Sequence, residues 1–368
     1  MSEITTVLGP IPPGELGFTS MHEHTVCDMS IFRRRYEAIL PENLPVAASD
    51  PIRLDNLSIL KHIFILSRDV MDLTGEDLIA SEVADFGASG GRAMVDMSTP
   101  GIRCNLPAIR RISEKTGVHI VATTGLYTED SWPEEFKGLT VEEYMGFMRS
   151  EIENGIENTS IRAGHIKVAI TDTTMFTVQP FSDQQKKMLR AAVRVSNETG
   201  LSMSVHPPLD AIENVREVIQ VMLAEGIKPG RAVIAHNELF FISRDLRTLV
   251  MDPDSWCLNV DFAKELLDQG FNISIDSFGH FHDAEPLGTI ITADWQRLAG
   301  LVALIKSGYS SQIVLGTDIF IKILTRRYGG EGYCRLTNFV VPMLRQVEIS
   351  ETDIQKMTVD NPALILAH

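Results

Sequence analysis

Eight short apolar runs, rich in β-branched residues, recur along this chain. They are Gly17–His22, Arg92–Met97, Val118–Thr124, Gly164–Ile170, Leu201–His206, Ala232–His236, Phe271–Asp276 and Gln312–Asp318. Between them lie stretches with helical spacing: Glu76–Ala88, Leu106–Thr116, Val141–Gly155, Asp183–Thr199, Ala211–Ala224, Asp261–Gln269 and Ala293–Lys306. Several stop at a glycine where the chain must reverse, as at Gly117, Gly200, Gly226, Gly270 and Gly308. Strands alternating with helices make a parallel sheet, and eight of them predict a closed α/β (β/α)8 barrel, a TIM barrel, rather than an open sheet.

The chain has 368 residues, against about 250 for a bare barrel of this kind. The sequence is therefore read as one domain over 1–368, with the surplus in a small hairpin within Thr5–Leu16 and two long loops, Asp28–Gly75 and Asn237–Val260. Both loops follow strand ends on the C-terminal face, where barrels carry their sites.

A net charge of −16 and a pI near 5.1 argue against a nucleic-acid or anionic-membrane partner, since no Lys/Arg cluster is present to meet one. A small-molecule substrate fits better. The N-terminal residues lack the basic and apolar regions of a secretory signal, and no stretch of about 18 apolar residues occurs, so a cytoplasmic location is expected. Cys27, Cys104, Cys257 and Cys334 form no CxxC pair, which speaks against a structural zinc knuckle or a redox motif.

The chemistry gathers at the strand ends. In SMHEHTVCD, alternation along the strand turns His22 and His24 to one side and Glu23 to the other. The fifth run ends in SVHPP at His206, the sixth in VIAHNE at His236 and the eighth in VLGTD at Asp318. One such residue is most often an ordinary polar group. Four histidines and an aspartate delivered to one rim by four strands point to a metal centre. Lys167, inside the fourth run, is costly to bury as an ammonium. It forms an interior ion pair, snorkels to the rim, or reacts as a neutral amine with carbon dioxide to give a carbamate that bridges two cations.

MHEHTVCD, VDMSTPG, TGVHIVATTGLY, AGHIKVAI, SVHPP, VIAHNE, VLGTD, YGGEGY and DNPALIL together resemble the motif series of the phosphotriesterase family of the amidohydrolase superfamily, over nearly the whole chain. The resemblance implies two divalent ions per chain, zinc by default. His22, His24 and Asp318 would serve the more buried ion, His206 and His236 the more exposed one, with carboxylated Lys167 between them. It also implies a homodimer. The chain departs from the pattern after His236, where Asn237 and Glu238 replace a common Asp-Arg pair, and at Ile102–Asn105.

These readings predict a metal-dependent hydrolase of ester bonds, foremost a lactonase or carboxylesterase, in which metal-activated water attacks and Asp318 accepts its proton. A phosphotriesterase and an amide hydrolase are the alternatives. A metal-binding protein without turnover is the reading from another class. Tyr127, Asp276, His280 and His282 are candidate substrate contacts, with Asp276 alternatively a partner behind a metal-bound histidine, and Lys322 and Arg326 are candidates for an anionic substrate group.

Overall fold

The computed structural model describes residues 2–37, 40, 43–170, 181–209, 211–281 and 291–368. An antiparallel hairpin, β1 (Ile4–Thr6) and β2 (Gly9–Ile11), comes first, with Ile4 opposite Ile11. Eight parallel strands follow, each pairing with the next in sequence order. These are β3 (Thr19–Glu23), β4 (Ala93–Asp96), β5 (His119–Leu126), β6 (His165–Ala169), β7 (Met203–His206), β8 (Ala232–Ile234), β9 (Asn272–Ile275) and β10 (Ile313–Leu315). Nearly every residue in them is buried, because one face lines the barrel and the other is covered by helices. The expected (β/α)8 barrel with its small hairpin is what the chain forms.

Three of the longer helices begin at a side-chain cap. Asn105 accepts from Ala108 N ahead of Leu106–Thr116, Thr140 forms a capping box ahead of Val141–Glu153, and Ser182 caps Asp183–Thr199. Gly117 and Gly200 end two of them in the left-handed conformation. The boundaries fall within two residues of those read from the sequence.

Two strands are shorter than their apolar runs by two or three residues at the C-terminal end: β8 stops at Ile234 and β10 at Leu315, because the next residues leave the ladder to aim side chains inward. His236 and Asp318 both adopt positive φ, 57° and 46°. Non-glycine residues in that region carry about 1–3 kcal/mol of strain. Here each has its backbone N–H held by another residue of the same rim: His236 N donates to Asp276 Oδ1 at 3.2 Å and Asp318 N to His22 O at 2.9 Å. The second bond spans the seam between β10 and β3, where no ladder pairs the two strands among the described residues.

The two long connections carry short helices rather than bare loop. Asp28–Gly75 contains Ile31–Tyr36, Leu57–His62 and Arg68–Met71, whose apolar sides join Ile319, Ile321 and Leu324 in a buried cluster beside the β10 end. Asn237–Val260 contains Leu246–Met251 and leaves Val250, Met251 and Trp256 exposed. No described helix is long and apolar enough to cross a membrane.

Candidate metal centre

Six side chains from five strand ends converge at the C-terminal mouth of the barrel. The Nε2 atoms of His22 and His24 lie 3.5 and 3.4 Å from Asp318 Oδ1, so the three ligand atoms could hold one ion. Across the mouth, His236 Nε2 lies 2.8 Å from Nδ1 of His206. Lys167 sits between the two groups, with Nζ 3.3 Å from His22 Nε2. All six residues are buried or nearly so.

The remaining nitrogen of each histidine at the β3 end is fixed from behind. His22 Nδ1 donates to Asp276 Oδ2 at 2.8 Å, and His24 Nδ1 lies 3.0 Å from Ser98 Oγ. His236 Nδ1 donates to the other oxygen of Asp276 at 2.7 Å. His22, His236 and Asp276 also cluster closely enough to hold a cation. Both Asp276 oxygens, however, are occupied by imidazole N–H groups, which turns the two Nε2 atoms inward. Asp276 is thereby an orienting carboxylate behind two histidines, a common arrangement around metals.

The electrostatics suit a cation. Burial, then the neighbouring Lys167, holds His22 down at about 4, and burial holds His206 well below its usual value, so both imidazoles are neutral and have a free lone pair. His236 is the exception: burial pulls it down, but the Asp276 carboxylate more than offsets this and raises it. Burial lowers Lys167 to about 8 against the pull of Asp318 and Asp276. Although burial opposes ionisation, the surrounding histidines keep Asp276 and Asp318 well below the ordinary carboxylate range.

The donor set fits divalent ions. Nδ1 of His206 and Nε2 of His236 face one another at 2.8 Å, and no carboxylate of the described residues lies within ion-pair reach of the fully buried Lys167. A cation, and a negative charge on Lys167, would satisfy both. Gly125 makes room for this register. It lies opposite Lys167 with φ +107°, and a Cβ there would come 2.0 Å from the Lys167 carbonyl oxygen.

The other candidates divide. Tyr127 packs its ring edge-on to His206, 5.7 Å between centroids, and burial raises its phenol above the usual range. His280 lies under the site: its Nε2–H donates to Thr317 O and Asp318 O, both at 2.9 Å, and burial holds it at about 4. His282 lies outside the described residues. The structure does not bring Lys322 or Arg326 into the cluster. Lys322 Nζ is 2.6 Å from Asp69 and Arg326 Nη1 is 3.0 Å from Asp85, acids supplied by the segment after β3 and by helix Glu76–Ala88. Two supports were missed from the sequence. Ser98 follows β4, and Glu238 accepts from the backbone N–H of Asp276 and Ser277 at 3.4 and 2.9 Å. Glu238 stands two residues beyond His236, so its place in HNE was the one available signal.

Comparison with known proteins bears on the family and the fold. A curated N-acetyltaurine hydrolase of Salmo salar is 27% identical over 98% of this chain and 96% of its own length. The crystal structure of a resiniferatoxin-binding protein from Rhodobacter sphaeroides superposes with a TM-score of 0.83 at 28% identity, covering 99% of this chain and 94% of that one. A lactonase from Listeria monocytogenes shares the fold, with a TM-score of 0.76 at 22% identity and 99% of each chain covered. The Phosphotriesterase family model matches residues 2–366, and the chain belongs to that family.

Proposed function

We propose that the chain is a binuclear metal-dependent hydrolase of carboxylic acyl bonds, with esters and lactones as its first substrate class. The observation that carries this reading is the division of the ligand atoms. His22, His24 and Asp318 form one group, His206 and His236 another, and the buried Lys167 amine stands between them with no carboxylate of the described residues at ion-pair distance. A carbamate on Lys167 would supply the missing negative charge, and zinc fits the imidazole and carboxylate donors.

Divalent ions bound in such a cluster lower the pKa of water towards neutrality and polarise an acyl oxygen. The protein's own groups do the rest. Asp318, ionised and held at the junction of the two strands, accepts a proton from the attacking water and passes it towards the leaving group. Asp276 keeps both histidine Nδ1 atoms protonated and both rings in place. Tyr127, against His206, lines the mouth on the side of β5.

Amide hydrolysis is the second reading, favoured by the N-acetyltaurine hydrolase relative along almost its full length. The same centre serves either bond, because both pass through attack at an acyl carbon. The deciding experiment is proton release or amine release from zinc-loaded protein given lactones, aryl esters, N-acyl amino sulfonates and phosphotriesters in the presence of bicarbonate. Preference for lactones or esters supports the first reading and preference for N-acyl compounds the second. No turnover with two metals bound per chain would leave a metal-binding protein.

A further inference from the structure

Glu23, the middle residue of the His22-Glu23-His24 triplet, faces away from the metal ligands, and a buried carboxylate there needs a reason. It is fully buried, and its hydrogen bonds all lead to one place. Oε1 accepts from Thr317 N at 3.0 Å, from the Thr317 hydroxyl at 2.5 Å and from the Ser20 hydroxyl, while Oε2 accepts from Ile319 N at 3.1 Å. The N–H between those two, that of Asp318, donates to His22 O at 2.9 Å. Three successive backbone donors, Thr317, Asp318 and Ile319, are thus captured by His22 and Glu23. On the opposite side, His280 holds the carbonyls of Thr317 and Asp318.

Asp318 needs such a grip. Its φ of 46° is strained for a residue with a Cβ, and it stands beyond the end of the β10 ladder. Nothing in regular structure holds it there, and relaxation of φ would swing the carboxylate away from His22 and His24. We propose that Glu23 is a positioning residue for the reaction: it acts through the Thr317–Ile319 backbone to keep Asp318 aimed at the two histidines at the β3 end. A carboxyl group suits the place, because Oε1 faces the Thr317 N–H and Oε2 the Ile319 N–H. An amide of the same shape would turn an NH2 group against a backbone N–H.

The inference rests on the metal reading above, and the test separates the two. Wild type, Glu23→Gln and Thr317→Val are loaded with cobalt(II), and metals per chain, the visible cobalt spectrum, kcat, KM and melting temperature are measured. The expected result for Glu23→Gln is a kcat lower by roughly 10- to 100-fold with KM little changed, together with a shifted cobalt spectrum. Thr317→Val, which removes only the hydroxyl donor, moves both in the same direction by less and serves as the readout should Glu23→Gln not fold. A variant that melts lower but keeps wild-type kcat and spectrum overturns the proposal and leaves Glu23 a stabilising group. Wild-type protein that binds no cobalt overturns the metal reading and this inference with it.

Discussion

Asp276 and His236 are joined twice: the imidazole Nδ1–H donates to Asp276 Oδ1 at 2.7 Å, and the backbone N–H of His236 reaches the same oxygen at 3.2 Å. The other oxygen holds His22. One carboxylate therefore orients a histidine in each half of the ligand cluster. Asp276→Ala should weaken metal binding by about 10- to 100-fold at both positions rather than one. Competition with a chelator measures this; loss confined to a single ion would mean that Asp276 serves only one histidine.

Asp318 has two tasks in the proposed reaction, ligand and proton acceptor, and they can be separated. Asp318→Asn keeps an oxygen near His22 and His24 but removes the basic group. Turnover should fall by about 10²- to 10⁴-fold while much of the metal is retained. A variant with full metal content and wild-type kcat would refute the proton role.

Lys167→Ala deletes the group between the two halves. The expected outcome is a protein that holds less than two metals per chain and recovers part of its activity when a short carboxylate such as propionate is added. Intact-mass analysis of gently handled wild type should show an added carbon dioxide, absent from the variant. An unmodified lysine with two metals bound would remove the carbamate from the scheme.

Gly125→Ala tests the register of β5 against β6. The new methyl would collide with the Lys167 backbone at a φ that disfavours alanine. Destabilisation of about 3 kcal/mol or more is expected, read as a lower denaturation midpoint. Wild-type stability would mean that β5 shifts to accommodate the methyl.

Metal should stabilise the fold as well as the reaction, because its ligands come from β3, β6, β7, β8 and the β10 end. A ligand that binds only folded protein contributes about 2.7 kcal/mol at 100 times its Kd. The melting temperature should therefore fall on stripping with chelator and recover on adding zinc. No change would place the ions outside the folded centre.

Most of the barrel could be read from periodicity, since each strand is an apolar run and each helix between strands has helical spacing. The clustering of the candidate residues was legible for a related reason: in a parallel barrel all strand C-termini meet on one face, so residues far apart in sequence share a rim. What could not be read depends on contacts across hundreds of residues. Lys322 and Arg326 are close to Asp318 in sequence, yet Asp69 and Asp85 engage them from more than 240 positions away. The turn of Asp318 into positive φ was equally hidden, because no local residue dictates it; Glu23 and His22, from the far end of the chain, hold it there.

That the seam between the first and last barrel strands is fastened by His22, Glu23 and Asp318 has a consequence for how such a protein can change. A mutation that retunes these residues also loosens the joint that closes the sheet, so the reactive centre has little latitude. The exposed side of the covering Leu246–Trp256 stands outside that joint. New substrate preferences in this chain should be easier to obtain there than by changing His22, Glu23 or Asp318.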